Sequence, residues 1–367
     1  MKKNTFAVQR PRKKKRMMAI GLLVILLLFG FVAARKASAG GENGILYLYC
    51  YGDYYDPLLI EEFEEETGIV VVEDMYDTAE EMYPIIANNS VSYDLICTSD
   101  YMIEKMIDED LMAPLDKENI PNLANIDPAY LEMSESFDPG NAYSVPHAVG
   151  VAGIAYNKEM VGDKVIDSWN DLFDPAFKDQ IIMPDSVRDA YMIALRSLGY
   201  DQNTENPEEI AEATEKLKEQ KPYVYAYAND AARDYLADGS AAVGVVWNGE
   251  YVYTHDLNED VEFVVPKEGS EFFIDSWAIP KTAENKENAE KFIDFMCRAD
   301  NAATNFEYLY YTMPNKAAVE QLDPEVVNDP SIFPTEETVA ACDTLRNLPA
   351  EVMELYSESW KKVKGSS

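Results

Sequence analysis

Aromatic and acidic side chains occur close together at several places in this chain, accompanied by small polar residues. Aromatic rings attract ammonium groups and cover methylene chains, and carboxylates form charge-assisted hydrogen bonds with ammonium groups. The combination therefore favours binding of a flexible organic cation. The residues concerned are Tyr51, Asp53, Tyr54, Ser99, Asp100, Tyr101, Asp185, Ser186, Asp189, Trp247, Asn248, Phe273 and Asp275.

Each of these residues also has a purely structural interpretation. A tyrosine at the end of a strand often does no more than keep its hydroxyl in water. Asp185 and Asp189 fit as negative charges at a helix N-terminus, with Ser186 as an alternative cap. Trp247 follows apolar residues and fits a core position, and Asp275 fits a turn. Only their joint occurrence at predicted strand ends favours a binding site.

The sequence lacks the motifs that accompany common catalytic sites. It contains no G-x-S-x-G, H-E-x-x-H or P-loop, and no G-x-G-x-x-G followed by an acidic residue. The two histidines, His147 and His255, have no partner residues that point to acid–base catalysis or zinc binding. Carboxylate pairs suited to glycoside hydrolysis arise by chance among 67 acidic residues. We therefore expect no enzymatic activity, no metal and no cofactor.

Four cysteines leave two possibilities open. Outside the cell they permit two disulfides in any of three pairings. Free buried cysteine behaves as a small apolar residue, and we favour this state here. The cysteines are Cys50, Cys97, Cys297 and Cys342.

Short apolar runs alternate with amphipathic helical patterns from Gly44 onward. This alternation predicts an α/β fold with a parallel or mixed sheet, in which ligands bind at the carboxyl ends of strands. The stretch 145–156 is long enough for a strand that crosses between two lobes, so we expect a hinge there. The predicted strands are 45–49, 69–72, 93–97, 145–156, 181–183, 243–247, 262–265 and 272–279.

Charge is distributed unevenly along the chain. The 367 residues are 47% hydrophobic, which is enough for two cores, and the net charge is −36. Residues 1–39 carry ten basic residues and no acidic one, so the rest holds 21 basic against 67 acidic residues, a balance of −46. Such a field repels nucleic acid and attracts cations, so we expect no nucleic-acid partner.

The N-terminal segment has the pattern of an export signal or membrane anchor. A basic cluster at 10–16 precedes an uncharged apolar run at 17–34, and the basic side is expected to stay cytoplasmic. The tripeptide ASA at 37–39 resembles a signal-peptidase site, but Arg35 and Lys36 directly before it leave both cleavage and retention open. No cysteine for lipid attachment follows the run, so a retained anchor is the apolar helix itself.

Six longer segments carry a more specific pattern, which covers nearly the whole chain from Ile45 onward. With them, the chain resembles the bacterial spermidine/putrescine-binding proteins of ABC importers. The segments are 46–69 (LYLYCYGDYYDPLLIEEFEEETGI), 93–106 (YDLICTSDYMIEKM), 188–200 (RDAYMIALRSLGY), 245–250 (VVWNGE), 264–280 (VVPKEGSEFFIDSWAIP) and 312–315 (TMPN).

This resemblance implies a type II periplasmic-binding fold, in which two discontinuous α/β lobes close over a polyamine. After the N-terminal segment 1–39, we expect one lobe from 40–150 and 275–320. The other lobe is expected from 151–274 and 321–367. The ligand-binding residues implied by the resemblance are Tyr51, Ser99, Tyr101, Ser186, Asp189, Trp247, Phe273, Asp275 and Tyr311, followed by Gly52, Asp53, Asp185 and Arg346.

Several of these positions depart from the family pattern. Tyr51 and Phe273 stand where tryptophan is usual, and Gly52 stands where a small hydroxyl residue is usual. Ser186 replaces one of two acidic residues, and neighbouring Asp185 is a candidate to substitute for the lost carboxylate. Arg346 stands where the family has an amide. It would repel a polycation unless a carboxylate such as Asp343 neutralises it.

The resemblance also implies partners and a location. We expect putrescine or spermidine as ligand, ABC permease subunits with a cytoplasmic ATPase as partners, and a monomeric protein. Its place would be the outer face of the bacterial plasma membrane, reached through the N-terminal apolar helix. An extracellular ligand sensor or scaffold of the same fold, and a binding protein for a different small solute, remain alternatives.

Overall fold

The computed structural model describes residues 43–365. The expected signal or anchor helix in 1–39 lies outside the described residues. Within 43–365, no helix combines the length and apolar character needed to cross a membrane. The strands are β1 (Ile45–Tyr51), β2 (Val70–Tyr76), β3 (Leu95–Thr98), β4 (Ser144–Asn157), β5 (Ile181–Met183), β6 (Val224–Tyr227), β7 (Val243–Trp247), β8 (Val261–Val264) and β9 (Phe272–Ala278).

Helices connect these strands and cover the sheet. Short 3-10 helices add further turns between them. The α-helices are α1 (Pro57–Thr67), α2 (Ala79–Ala87), α3 (Asp100–Asp108), α4 (Pro128–Ser134), α5 (Lys158–Val161), α6 (Val187–Leu198), α7 (Pro207–Gln220), α8 (Ala232–Ala237), α9 (Asn248–Leu257), α10 (Lys286–Met296), α11 (Ala299–Leu309), α12 (Lys316–Val319), α13 (Pro324–Val327), α14 (Glu336–Ala341) and α15 (Ala350–Gly365).

The strands form one mixed sheet in the order β2-β1-β3-β9-β4-β7-β5-β6, with β8 also paired to β4. Strand β1 is parallel to β2 and β3, and β5 is parallel to β6 and β7. Strand β9 runs antiparallel to β3 and β4, and β4 runs antiparallel to β7. The sheet therefore contains two parallel groups joined by antiparallel strands in the middle.

Strand β4 links the two parallel groups. Its first part, from Ser144 to Val151, pairs with β9, whereas Ala152 to Tyr156 pairs with β7. The predicted strand at 145–156 is thus confirmed, and it passes from one half of the sheet to the other. The assignment of chain segments to two lobes with a hinge at β4 stays a prediction.

Local signals in the sequence explain where the helices that flank the site begin and end. Asp56 caps α1 by accepting a hydrogen bond from the Leu58 amide, and Gly68 ends the helix with a φ of 71°. Ser186 caps α6 by accepting from the Asp189 amide. The two caps set where the helices after β1 and β5 begin, and so limit the loops at the ends of these two strands.

Each half of the sheet packs its own apolar core. One core contains Leu48, Phe63 and Phe292, and the other contains Trp169, Tyr191 and other buried side chains of α6 and α7. Trp247 is partly buried and packs against both cores. The four cysteines are free and buried, so they act as small apolar residues rather than as disulfides.

Candidate functional site

A cleft of about 780 Å³ lies where several strands end. Tyr51 ends β1, Ser99 follows β3, Ser186 follows β5 and Trp247 ends β7, while β9 contributes through its first half. The lining residues are Tyr51, Gly52, Asp53, Tyr54, Asp77, Thr78, Ala79, Glu80, Ser99, Tyr101, Ser186, Asp189, Asn229, Asp230, Trp247, Glu250, Glu271, Phe273, Asp275, Tyr311 and Leu345.

Aromatic rings form much of the cleft wall. The ring centroids of Tyr51 and Tyr54 are 5.2 Å apart, and those of Tyr54 and Tyr311 are 6.0 Å apart. Phe273 meets Tyr311 edge-to-face at 5.8 Å. Such contacts fix the rings against one another, which leaves a rigid surface suited to methylene groups and cations.

A close backbone approach positions Phe273. A Cβ atom added at Gly150 of β4 would lie 2.7 Å from the Phe273 ring and would also collide with the Asn248 side chain. Gly150 therefore lets β4 pass directly beneath these two residues. Gly150 is thus needed both for the packing of β4 in the sheet and for the position of Phe273 in the cleft wall.

Asp275 lies at the centre of β9 with a side chain directed into the cleft. Its Oδ2 accepts a hydrogen bond from the Tyr54 hydroxyl, while its buried Oδ1 has no hydrogen-bond partner. Burial raises the pKa of Asp275 to about 6. An ammonium group beside Oδ1 would supply the missing donor and favour the ionised carboxylate.

Polar side chains from α2 and α3 complete one side of the cleft. The hydroxyls of Tyr51 and Ser99 lie 2.8 Å apart. The Tyr101 hydroxyl donates to Glu80 Oε1 at 3.0 Å. Burial raises the pKa of the Glu80 carboxyl, although the Tyr101 hydrogen bond and the charge of Arg188 act in the opposite direction.

A charged cluster borders the opposite side of the cleft. Arg233 of α8 places Nη1 3.1 Å from Glu250 Oε2 and Nη2 3.0 Å from Asp53 Oδ2. Burial raises the pKa of Glu250 to about 7 despite the neighbouring guanidinium. Burial likewise raises the pKa of Asp230. Arg233 thus neutralises part of the negative charge at this end.

The lining of the cleft is strongly acidic. Eight of the lining residues carry a carboxyl group, and none of them is a lysine or an arginine. Like charges at short range disfavour ionisation of their neighbours, so the cleft gains most from a ligand that brings several positive charges. The carboxyl-bearing residues are Asp53, Asp77, Glu80, Asp189, Asp230, Glu250, Glu271 and Asp275.

Eleven of the thirteen residues implied as ligand-binding by the sequence line this cleft. Asp185 and Arg346 do not. Asp185 accepts a hydrogen bond from Lys364 Nζ at 2.8 Å and is not among the residues that line the cleft. Arg346 is neutralised by Glu104, with Nη2 and Oε1 2.7 Å apart, whereas Asp343 pairs with Arg196.

Five acidic residues of the cleft were not predicted as ligand-binding: Asp77, Glu80, Asp230, Glu250 and Glu271. A signal existed for Glu271, since side chains two and four residues apart on an extended chain share a face. Glu271 therefore lies on the same face as Phe273 and Asp275. Asp77, Glu80, Asp230 and Glu250 come from loops and helical turns brought near by the fold, and no local pattern marks them.

The chain belongs to the bacterial extracellular solute-binding protein family, whose model matches residues 59–335. The α/β periplasmic-binding fold expected from the sequence is confirmed by the structural neighbours. A solved Listeria monocytogenes chain, for which a spermidine/putrescine ABC transporter role is proposed, is 40% identical with a TM-score of 0.85, covering 88% of this chain and 99% of its own.

The named relatives include spermidine/putrescine-binding proteins. The spermidine/putrescine-binding periplasmic protein of Salmonella typhimurium is 37% identical over 341 residues, which cover 92% of this chain and 97% of that protein. The solved substrate-binding protein PotD of a spermidine/putrescine ABC transporter from Streptococcus pneumoniae is 37% identical, with a TM-score of 0.73, covering 87% of this chain and 98% of its own. The resemblance seen in the sequence is thereby confirmed.

Proposed function

We propose that this protein is the extracytoplasmic binding component of a polyamine ABC importer and takes putrescine or spermidine in the cleft described above. One observation carries the proposal. The cleft combines aromatic walls with eight carboxyl-bearing residues and contains no lysine or arginine among its lining residues. A polyamine is a chain of methylenes with ammonium groups at intervals, which matches both features.

Binding needs no chemical change in the ligand. The rings of Tyr51, Trp247, Phe273 and Tyr311 cover the methylenes. Asp275 pairs with an ammonium group near the middle of the cleft, and other carboxyls receive the remaining charges. No bond of the ligand is broken, so the protein acts as a carrier and not as an enzyme.

The remaining expected site residues have supporting roles in this scheme. The hydroxyls of Ser99, Tyr101 and Ser186 line the cleft beside carboxyl groups, and Asp53 and Asp189 add negative charge at its two sides. Gly52 leaves room at the cleft surface, since a Cβ atom there would only touch Asp230 at 3.8 Å. Asp185 and Arg346 take no part.

The carrier role includes partners and a location. The loaded protein, acting as a monomer, delivers its ligand to a membrane permease driven by a cytoplasmic ATPase. The basic and apolar N-terminal segment exports or holds the protein at the outer face of the membrane. The relatives named above, and the acidic balance of the chain after residue 39, support this scheme. Uptake of labelled putrescine by cells with and without the gene tests it.

Isothermal titration calorimetry of the purified full-length protein tests ligand binding. Putrescine and spermidine are expected to bind, whereas 1,4-butanediol is expected not to bind. The diol has the same four-carbon chain as putrescine but no charge, so it isolates the contribution of the carboxyls. Absence of heat and of any thermal shift with every polyamine tried would contradict the proposal, and so would equal binding of the diol.

A further inference from the structure

Glu271 carries a buried carboxyl group and lies in the cleft directly before the first residue of β9. It lies directly before Phe272, shares its face with Phe273 and Asp275, and is 4% exposed. Its Oε2 atom is buried and has no hydrogen-bond donor. A buried acceptor that faces a cleft and lacks a donor marks a place where a ligand donor belongs.

Glu271 makes a pair with Asp189 from the first turn of α6. Both side chains line the same cleft, and the Asp189 carboxyl lies close enough to act on Glu271. Two neighbouring carboxyls share a hydrogen bond only when one of them holds a proton. Burial and then the Asp189 carboxylate raise the pKa of Glu271 well above its usual range. Two carboxyls in direct contact cannot both ionise at low cost unless a cation joins them.

The groups that face this pair add negative charge. Asp100 of α3 and Asp275 of β9 act on Glu271, and Glu80 of α2 and the Tyr101 hydroxyl face Asp189. The nearby cation is Arg188. Its Nη1 donates to the Arg346 carbonyl and its Nη2 donates to Asn203 Oδ1, both at 2.9 Å. The guanidinium is thus engaged away from the carboxyl pair.

We propose that Glu271 and Asp189 together form the subsite for one terminal ammonium group of the polyamine, and that this ammonium group displaces the proton which the pair holds. The proposal rests on the proposed polyamine function and assigns the second carboxylate of the subsite to Glu271, in place of Ser186. Before binding, the pair carries one proton and one negative charge. After binding, both carboxylates are ionised, the ammonium group keeps its three hydrogens, and one proton enters the solvent.

Proton release is measured by titrating the full-length protein with putrescine in two buffers of different ionisation enthalpy at pH 8. At this pH the carboxyls of Glu250 and Asp275, with pKa values of about 7 and about 6, are mostly ionised and release little. The wild-type protein is expected to release about one proton per ligand. Binding without proton release overturns the inference, whereas absence of any polyamine binding contradicts the proposed function itself.

Three variants assign the proton to its source. Glu271→Gln removes the acidic proton and is expected to bind more weakly and to release close to none. Glu61→Gln, at an exposed position of α1, serves as the matched control and is expected to behave as the wild type. If Glu271→Gln does not bind, Glu271→Asp keeps a protonatable group and is expected to release the proton. Unchanged release in Glu271→Gln, or no release in Glu271→Asp, overturns the inference.

Discussion

Asp275 is the carboxylate whose surroundings point most directly to an ammonium ligand. It is 5% exposed, receives the Tyr54 hydroxyl on one oxygen and leaves the other without a donor. A buried acceptor without a hydrogen-bond donor lowers the stability of the folded protein, and a donor from a ligand removes this cost. The ligand would therefore satisfy an interaction that the empty cleft lacks.

Replacing this carboxylate tests its contribution. Asp275→Asn keeps the shape of the side chain and removes its charge, so we expect putrescine to bind roughly 10- to 100-fold more weakly, as for loss of a hydrogen bond to a charged group. The variant should also show a weaker dependence on added salt. The control is Asp163→Asn at an exposed position. Equal affinity in wild type and Asp275→Asn, measured by calorimetry, removes Asp275 from the site.

The raised pKa values of two cleft carboxyls predict how binding depends on pH. Burial raises the pKa of Asp275 to about 6 and that of Glu250 to about 7. Below these values the groups are neutral and no longer attract an ammonium group. Putrescine affinity is therefore expected to fall by about tenfold or more between pH 7.5 and pH 5. A dissociation constant that stays constant or decreases as the pH is lowered would contradict this.

At the residue scale, the sequence predicts the part of the site that follows from strand ends. Tyr51, Ser99 and Trp247 line the cleft because parallel strands bring their carboxyl ends to one edge. Asp185 and Arg346, which were predicted with them, do not line the cleft. Their partners, Lys364 and Glu104, are far away in sequence, so local pattern gives no indication of these pairs.

Helices α8 and α9 set the charge at one end of the cleft. Arg233 of α8 holds Glu250 of α9 and also reaches Asp53 after β1. This guanidinium thus pairs with two carboxylates of the cleft lining. We expect the pairing to withhold these carboxylates from a longer polyamine, so that this end of the cleft discriminates between ligands of different length.

Removing this internal cation is expected to change ligand preference. In Arg233→Gln, Glu250 and Asp53 become free to pair with a further ammonium group. Spermidine affinity relative to putrescine should rise by about two- to fivefold, the range of a partly exposed charge pair. Lys281→Gln serves as control, since Lys281 pairs with Asp110 at an exposed site. A spermidine-to-putrescine ratio equal to that of the wild type would show that Arg233 does not limit ligand length.

At the element scale, short apolar runs made most strands predictable. The strands predicted at 45–49 and 181–183 appear as β1 and β5. Strand β6 and helix α9 are not predicted. Strand β6 pairs with β5 alone and is mostly half-exposed, so its apolar pattern is weak. Helix α9 begins with Asn248 and Gly249, which are residue types typical of turns.

The molecule as a whole carries a large negative charge that suits capture of cations. Residues from 40 onward hold 21 basic against 67 acidic residues, and the acidic cleft lies within this field. As carboxyls ionise, repulsion between like charges lowers the free energy of unfolding of the unliganded protein, and so does the charging of buried carboxyls. We expect a cationic ligand to offset part of this loss of stability.

This balance predicts how stability changes with pH. Glu250 and Asp275 have folded-state pKa values of about 7 and about 6, above their values in an unfolded chain. Their stabilising contribution is complete below the unfolded pKa and is lost as pH rises through 6 and 7. Calorimetric melting of the unliganded protein should show a melting temperature about 3 to 6 °C lower at pH 8 than at pH 5.

Two observations check this explanation of the pH dependence. The double variant Glu250→Gln, Asp275→Asn should lose less stability than the wild type over the same pH range. Saturating putrescine should raise the melting temperature more at pH 8 than at pH 5, because the ligand binds the ionised cleft more tightly. A wild-type melting temperature that rises from pH 5 to pH 8 would contradict the assignment of raised carboxyl pKa values.

A crystal structure with bound putrescine tests the central claim most directly. The predicted result is a ligand in the cleft with its methylenes against the rings of Trp247 and Phe273. One nitrogen should lie about 3 Å from Asp275 Oδ1 or from the Glu271–Asp189 pair. Putrescine bound outside the cleft, or bound there with its nitrogens away from these carboxyls, would contradict the account.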